Sequence, residues 1–293
     1  MPNPKVSVLI PAYNYGHYIS EAIDSVLEQT FDDFELIIVD NNSEDNTVEL
    51  VSEYMKKDSR VSIHVNQENI GMYRNYNQAL ALASGEYIKF LNADDKFEPT
   101  LLEKFVDTLD KYEGISLVTS KRQYFGDKTD ILEAGFTGEQ NKEVILEKCF
   151  KEGNIIGEPT TVMFRRKHLN VGTFNIDLKM FADFDMWIKL LEVGNVYFVD
   201  EVLSYFRIHE TQGTKYLNDE IKKSSVNKFQ FYNYMVNKLL FNDFFNDKTT
   251  KKLLKLNLNR TAKIVGRSVK YINKFKILYA LSSYLRYLRG RLK

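Results

Sequence analysis

Two adjacent carboxylates, Asp94 and Asp95, follow the apolar run YIKFL at residues 87–91. Hard cations such as Mg2+ or Mn2+ are held through one or two carboxylates together with substrate phosphates, so this pair could bind one. The same pair could instead cap a helix beginning near Pro99. Asp40 closes a second apolar run, LIIVD at 36–40, where its carboxylate could accept the imide hydrogen of a pyrimidine base or close an Asx-type turn. Asp183 and Asp185 flank Phe184 just before Trp187, where a helical pattern starts. A carboxylate there complements the helix dipole, and one held rigidly beside a cleft could take a proton from a hydroxyl. Arg207 and His209, in YFRIH, could neutralise a diphosphate or ligate a metal. Neither the GxGxxG nor the GxxxxGKS/T pattern follows the first apolar run, so dinucleotide dehydrogenases and P-loop ATPases lose their support. A bound diphosphate would need a cation to carry much of its charge.

The elements that must position these groups alternate. VSVLI at 6–10, LIIVD, VSIHV at 61–65 and YIKFL are uniformly apolar or β-branched, and they are separated by helical spacing at 18–29, 46–56 and 72–83. Strands apolar on both faces belong to a parallel sheet covered on both sides, so the first hundred residues read as a doubly wound α/β unit. In such a sheet ligands bind beyond the carboxyl ends of the strands. Those ends are Pro11-Ala12-Tyr13-Asn14, Asp40 to Asp45, Asn66 to Asn69 and Asn92-Ala93-Asp94-Asp95, which would bring acids and amides to one cleft. Beyond a helix near 99–111 and a strand at 116–120, residues 121–158 read as a loop-rich insertion. VMF at 162–164, a helix at 183–193 and the separate strands VYFV and YFRI complete the pattern near residue 213.

The chain has 293 residues, 44% of them hydrophobic, enough for a large core, and its single cysteine excludes an intramolecular disulfide. MPNPKVSVLIPAYN lacks the apolar stretch and cleavage site of a secretory signal, and no window reaches the roughly 18 apolar residues of a spanning helix, so a cytoplasmic location is expected. The net charge of zero conceals an asymmetry: residues 251–293 hold 13 Lys or Arg and no Asp or Glu, leaving 27 basic against 40 acidic residues before them. The leucine stripe Leu278, Leu281, Leu285, Leu288, Leu292 runs through this tail at helical spacing. Such a helix either packs its stripe on the body or docks on an anionic leaflet, which would make the protein peripheral at the inner face of the cytoplasmic membrane. Nucleic acid is not expected, because no stacking platform or reader motif accompanies the charge.

In order, VSVLIPAYNYGHYISEAIDSVLEQT, FELIIVDNNSEDNT, NIGMYRNYNQALALASGEYIKFLNADD, FADFDMWIKLL and YFRIH resemble glycosyltransferase family 2, the inverting enzymes of GT-A fold, across about residues 5 to 210. The resemblance implies a GT-A catalytic domain at 1–213, with a nucleotide-sugar half to about residue 97 and an acceptor half from 98, followed by a helical, basic region at 214–293. It implies that Pro11, Ala12 and Tyr13 line a nucleoside pocket continued by Asn14, and that Asp40 pairs with uracil, favouring UDP over purine nucleotides. Asn92-Ala93-Asp94 falls on the family's D-x-D, making Asp94 the ligand of Mn2+ or Mg2+, with Asn92 beside the ribose. Asp183 falls on the proposed base, while Arg207 and His209 assist the diphosphate or the metal; Asp95, Asp185 and Trp187 are further candidates.

Three positions depart from the family pattern. Asn92 replaces an Asp, Ala182 replaces the acid before the base, and Tyr76-Asn77 stands where Arg-Asn is frequent, leaving Asn77 as a donor-binding candidate. The implied function is transfer of a hexosyl or N-acetylhexosaminyl group from a nucleotide sugar to a glycan or lipid-linked acceptor in surface polysaccharide synthesis. The acceptor is expected against residues 121–160 and Gly157 to Thr161. The alternative is a non-catalytic nucleotide-sugar-binding or scaffold protein on the same fold. A nucleotidyltransferase is disfavoured because PAYNYGHY is not the glycine-rich basic loop that it needs.

Overall fold

The computed structural model describes residues 3–210 apart from 128 and 134, so the expected helical region at 214–293 and its basic tail lie outside the described residues. Residues 1–142 with 154–210 make one compact unit; Glu143–Gly153 belong to a second, of which only this segment is described.

Strand β1 (Val6–Ala12) is buried along its whole length and pairs in parallel with both β2 (Phe34–Asp40) and β4 (Tyr87–Phe90), which explains why none of these segments alternates polar and apolar residues. Between them lie α1 (Ile19–Leu27), α2 (Thr47–Lys57), the outer strand β3 (Val61–Val65) and α3 (Met72–Leu82). Helix α1 turns Ile19, Ala22, Ile23 and Val26 into the core, while Leu27 at its end is only partly buried. Gly85, before β4, is sterically required: a Cβ there would meet the Ser7 backbone nitrogen at 2.5 Å.

The second part comprises β5 (Lys96–Phe97), α4 (Leu101–Lys111), β6 (Ile115–Gly126), β7 (Ile131–Leu132), β8 (Gly138–Gln140), α5 (Lys142–Glu152), β9 (Met163–Arg165), α6 (Ala182–Val193) and β10 (Asn195–Ile208). The sheet runs β3-β2-β1-β4-β9-β6-β10-β5. Strand β9 is antiparallel to both β4 and β6, and β10 is parallel to β6. The six long strands therefore share one direction, and all their carboxyl ends lie along one edge.

Two readings of the sequence need correction. Residues 121–158 are not mostly loop: β6 continues to Gly126, β7 and β8 add short antiparallel strands, and α5 follows. The polar run KRQYFG is held by backbone pairing to β10 while its side chains stay half-exposed, so hydropathy carried no strand signal there. VYFV and YFRI are one strand, β10, whose register with β6 shifts between Val199 and Val202 and again before Ser204.

Candidate active site

At the end of β1 the side chains of Pro11 and Ala12 are buried in the strand, so of the expected nucleoside-pocket residues only Tyr13 (40% exposed) and Asn14 reach the surface. Asn14 has a left-handed backbone, φ 58°. Its N–H donates to Ser43 Oγ (2.8 Å) and its side-chain oxygen accepts from Glu44 N–H (2.8 Å), which laces the first strand-end loop to the second. Asp40 is fully buried, and its two oxygens accept from Ser43 N–H (2.8 Å) and Ser43 hydroxyl (2.5 Å). Asp40 thus closes a local turn through the third residue on rather than the second, and a pyrimidine imide would have to share those oxygens.

After β4 the chain turns without capping the next helix. The N-cap of α4 is Thr100, not either aspartate, so the capping alternative is overturned. Asp94 accepts from the Tyr15 hydroxyl, and its Oδ2 lies 3.1 Å from His209 Nε2. The two side chains are 9% and 10% exposed. Beside Asp94, burial and its negative charge push the Tyr15 phenol well above the ordinary tyrosine range. Asp95 points inward instead: Oδ1 accepts from Arg207 N–H (2.9 Å) and Oδ2 from Asn92 Nδ2 (2.9 Å) and Thr160 Oγ1 (2.6 Å). It is a buried hub with both oxygens engaged, and burial, then the Asp94 charge, raises its pKa well above the carboxylate range. Asn92 is equally engaged, accepting the Tyr76 hydroxyl (2.5 Å) as well as donating to Asp95, and Ala93 between them is buried. Arg207 Nε donates to the Asp94 carbonyl (2.9 Å), while its guanidinium pairs with Glu21 and lies 4.8 Å from the Tyr18 ring and 4.2 Å from that of Phe125. Tyr18 also packs 4.7 Å from the His209 ring, holding the end of β10 against α1.

One carboxylate oxygen and one imidazole nitrogen meeting at the strand edge fit a divalent cation that takes its remaining ligands from a diphosphate. Among the described residues no cluster of three His, Cys, Asp or Glu side chains forms a complete protein site.

The proposed base stands on another element. Asp183 opens α6, where its Oδ1 accepts from Phe184 N–H (2.7 Å), its Oδ2 lies 3.5 Å from Asn154 Nδ2 and its own N–H donates to the Tyr73 hydroxyl. Burial first, then the negative charge of Glu158, pushes the Asp183 carboxyl up to about 7. A carboxylate with that affinity for a proton suits a general base near neutral pH.

Residues 154–161 strap the two parts together. The Trp187 indole and Asn154 both donate to the Gly157 carbonyl (2.8 and 2.9 Å), and Thr160 reaches Asp95. Fully buried Lys89 donates to the Thr160 carbonyl and lies 4.6 Å from the Phe97 ring. Three of the expected site residues have their polar groups engaged within the protein. Trp187 anchors Gly157. Asp185 is fully buried and ion-paired to Lys189 (2.6 Å). Asn77 closes two hydrogen bonds with the Phe174 backbone (2.9 and 3.0 Å), so both atoms of its amide are engaged away from the donor. Sequence reasoning missed Tyr15, Tyr18 and Lys89, and it named Thr160 and Glu158 only as part of a segment expected to hold the acceptor. Of these Lys89 carried a signal, as a lone cation inside the apolar run YIKFL.

The family description "Glycosyl transferase family 2" matches residues 7–172, more than half of the chain. The chain belongs to glycosyltransferase family 2. It is 27% identical to an uncharacterized glycosyltransferase of Haemophilus influenzae over 94% of its own length and 80% of the relative's. Crystal structures place the fold in the GT-A class. S. aureus TarS 1–349 in complex with UDP-GlcNAc superposes with a TM-score of 0.69 at 21% identity, covering 97% of this chain and 81% of that one. The mannosyltransferase PcManGT from Pyrobaculum calidifontis, in complex with GDP-Man and Mn2+, superposes with a TM-score of 0.60 at 18% identity over 97% and 81%. The chain spans 44% of a Rickettsia felis relative and 43% of a longer TarS structure. Among the described residues no helix is long and apolar enough to cross a membrane.

Proposed function

We propose that this family 2 glycosyltransferase is an inverting enzyme that moves a hexosyl or N-acetylhexosaminyl group from a UDP-sugar to a hydroxyl of a glycan or lipid-linked acceptor, in surface polysaccharide synthesis. The observation that carries the reading is Asp183, a carboxylate poised near pH 7 at the head of α6, in the same fold unit as the Asp94–His209 pair. Asp183 takes the proton of the acceptor hydroxyl as that oxygen attacks the anomeric carbon. The bond from that carbon to the diphosphate breaks on the opposite face, and UDP leaves with the electron pair. A divalent cation held by Asp94 and His209 would supply Lewis-acid stabilisation of the diphosphate charge. Tyr15 and Arg207 orient the Asp94 carboxylate and its backbone carbonyl. The TarS complex with UDP-GlcNAc supports a UDP donor, and the PcManGT complex supports Mn2+. The division into a nucleotide-sugar half before about residue 97 and an acceptor half to 213 belongs to this reading.

A panel of nucleotide sugars, each with and without Mn2+, tests it by thermal shift, since a ligand of the folded state raises the melting temperature. One UDP-sugar should raise it in a Mn2+-dependent way, and NMR of the transferred sugar should find the anomeric configuration opposite to the donor's. A flat panel, or retained configuration, refutes the reading. Peripheral attachment through 251–293 rests on the charge of that segment. Truncation at residue 250 should abolish co-sedimentation with anionic liposomes, and unchanged sedimentation would end that part of the proposal.

A further inference from the structure

We propose that Glu158, held by Arg122, is a positioning residue for Asp183, supplying from the 154–161 strap the acidic neighbour that Ala182 does not. The inference rests on Asp183 being the base. Its geometry starts at Gly157, where a φ of +122° disfavours any side chain and a Cβ would come within 2.1 Å of Thr161 Oγ1. The Gly157 carbonyl is clamped by the indole of Trp187 and the amide of Asn154, and that same amide nitrogen lies 3.5 Å from Asp183 Oδ2. The backbone of residue 158 is thereby fixed beside the first turn of α6. The Glu158 side chain, 28% exposed, meets Arg122 Nε of β6 at 2.5 Å, and Arg122 is 13% exposed. The pair is thus neither a loose surface contact nor fully dry.

An ion pair serving only to staple the strap to β6 would leave the Asp183 carboxylate electrostatically untouched. Here the Glu158 charge is felt at Asp183 and opposes its ionisation, so the carboxylate grips a proton more strongly. The paired Arg122 guanidinium carries the opposite charge to Glu158, so its removal is expected to leave the Glu158 charge uncompensated. The other groups facing Asp183 are the amide of Asn154, the Tyr73 hydroxyl and the Phe184 N–H, with Tyr76 farther off and the Asp185–Lys189 pair on its own helix.

Carboxyl-13C aspartate NMR of the full chain follows Asp183 directly, its resonance assigned by disappearance in D183N. Glu158→Gln is expected to move the titration midpoint to lower pH by roughly half a unit, Arg122→Gln to move it higher, and Glu158→Asp to restore part of the parental value. UDP release from UDP-GlcNAc by the Glu158→Gln and Glu158→Asp variants should follow the same order. Midpoints that stay put in both E158Q and R122Q overturn the proposal. If E158Q fails to give a parental melting profile, the R122Q shift decides alone. Undiminished UDP release by D183N would instead refute the base assignment, whatever the midpoints do.

Discussion

Asp183→Asn is expected to lower kcat by about 10² to 10⁴, the contribution of a positioned general base, while the thermal shift given by the donor is retained. In the parent, kcat/KM should fall about tenfold per pH unit below a limb near pH 7, where burial and Glu158 have placed the Asp183 carboxyl. The same displacement fixes the sign of a stability effect. An aspartate in the unfolded chain ionises near pH 3.9, so between there and about 7 the native state binds the extra proton. Native stability contributed by this group therefore declines as pH rises through that window and levels off above it. D183N lacks that decline. It should melt a few degrees higher than the parent above pH 7, with the gap closing toward pH 4. Turnover within tenfold of the parent would sink the assignment and favour the scaffold alternative. A mutant that is inactive but less stable at pH 8 would show that the carboxylate is needed for folding instead.

Asp94→Ala is expected to lower kcat/KM by roughly 10² to 10³, because charge developing on the leaving diphosphate would lose a metal ligand. The Mn2+-dependent part of the donor thermal shift should vanish, and added EDTA should bring the parent to the level of the variant. The substitution also leaves the Tyr15 hydroxyl and His209 without their shared acceptor, a cost of about 1–3 kcal/mol that a melting curve without ligand measures separately. Asp95 offers the contrast. Its oxygens hold Arg207, Asn92 and Thr160, so Asp95→Asn should act chiefly through stability. An enzyme indifferent to EDTA whose D94A variant retains full turnover would refute the metal assignment.

How much of this was legible in the chain depends on the range over which each signal acts. The strand and helix order of the first hundred residues, the strand-end placement of Asp40 and Asp94 and the helical start at Asp183 follow from local periodicity, because side-chain direction repeats every 2.0 or 3.6 residues whatever the rest of the chain does. The strand character of KRQYFG was hidden because backbone pairing to β10 sets it, and hydropathy does not see backbone pairing. The fate of individual polar groups was hidden for a related reason. Asn77 is a plausible donor ligand until Phe174 occupies its amide, and Asp95 is as good a metal ligand as Asp94 until Thr160 and Arg207 enclose it.

Spacing and composition were enough to place carboxylates and amides at the strand ends along one sheet edge, to exclude a glycine-rich phosphate cradle after the first strand, and to show which family the chain resembles. Packing of distant segments settled that Asp94 meets His209, 115 residues away, that Asp95 turns inward, and that the Gly157 carbonyl is clamped by Trp187 and by the Asn154 amide that also lies beside Asp183. Short-range order is written in the spacing of neighbours. Which carboxylate stays available for chemistry depends on hydrogen-bond partners brought in from distant segments, and their arrival is settled by packing.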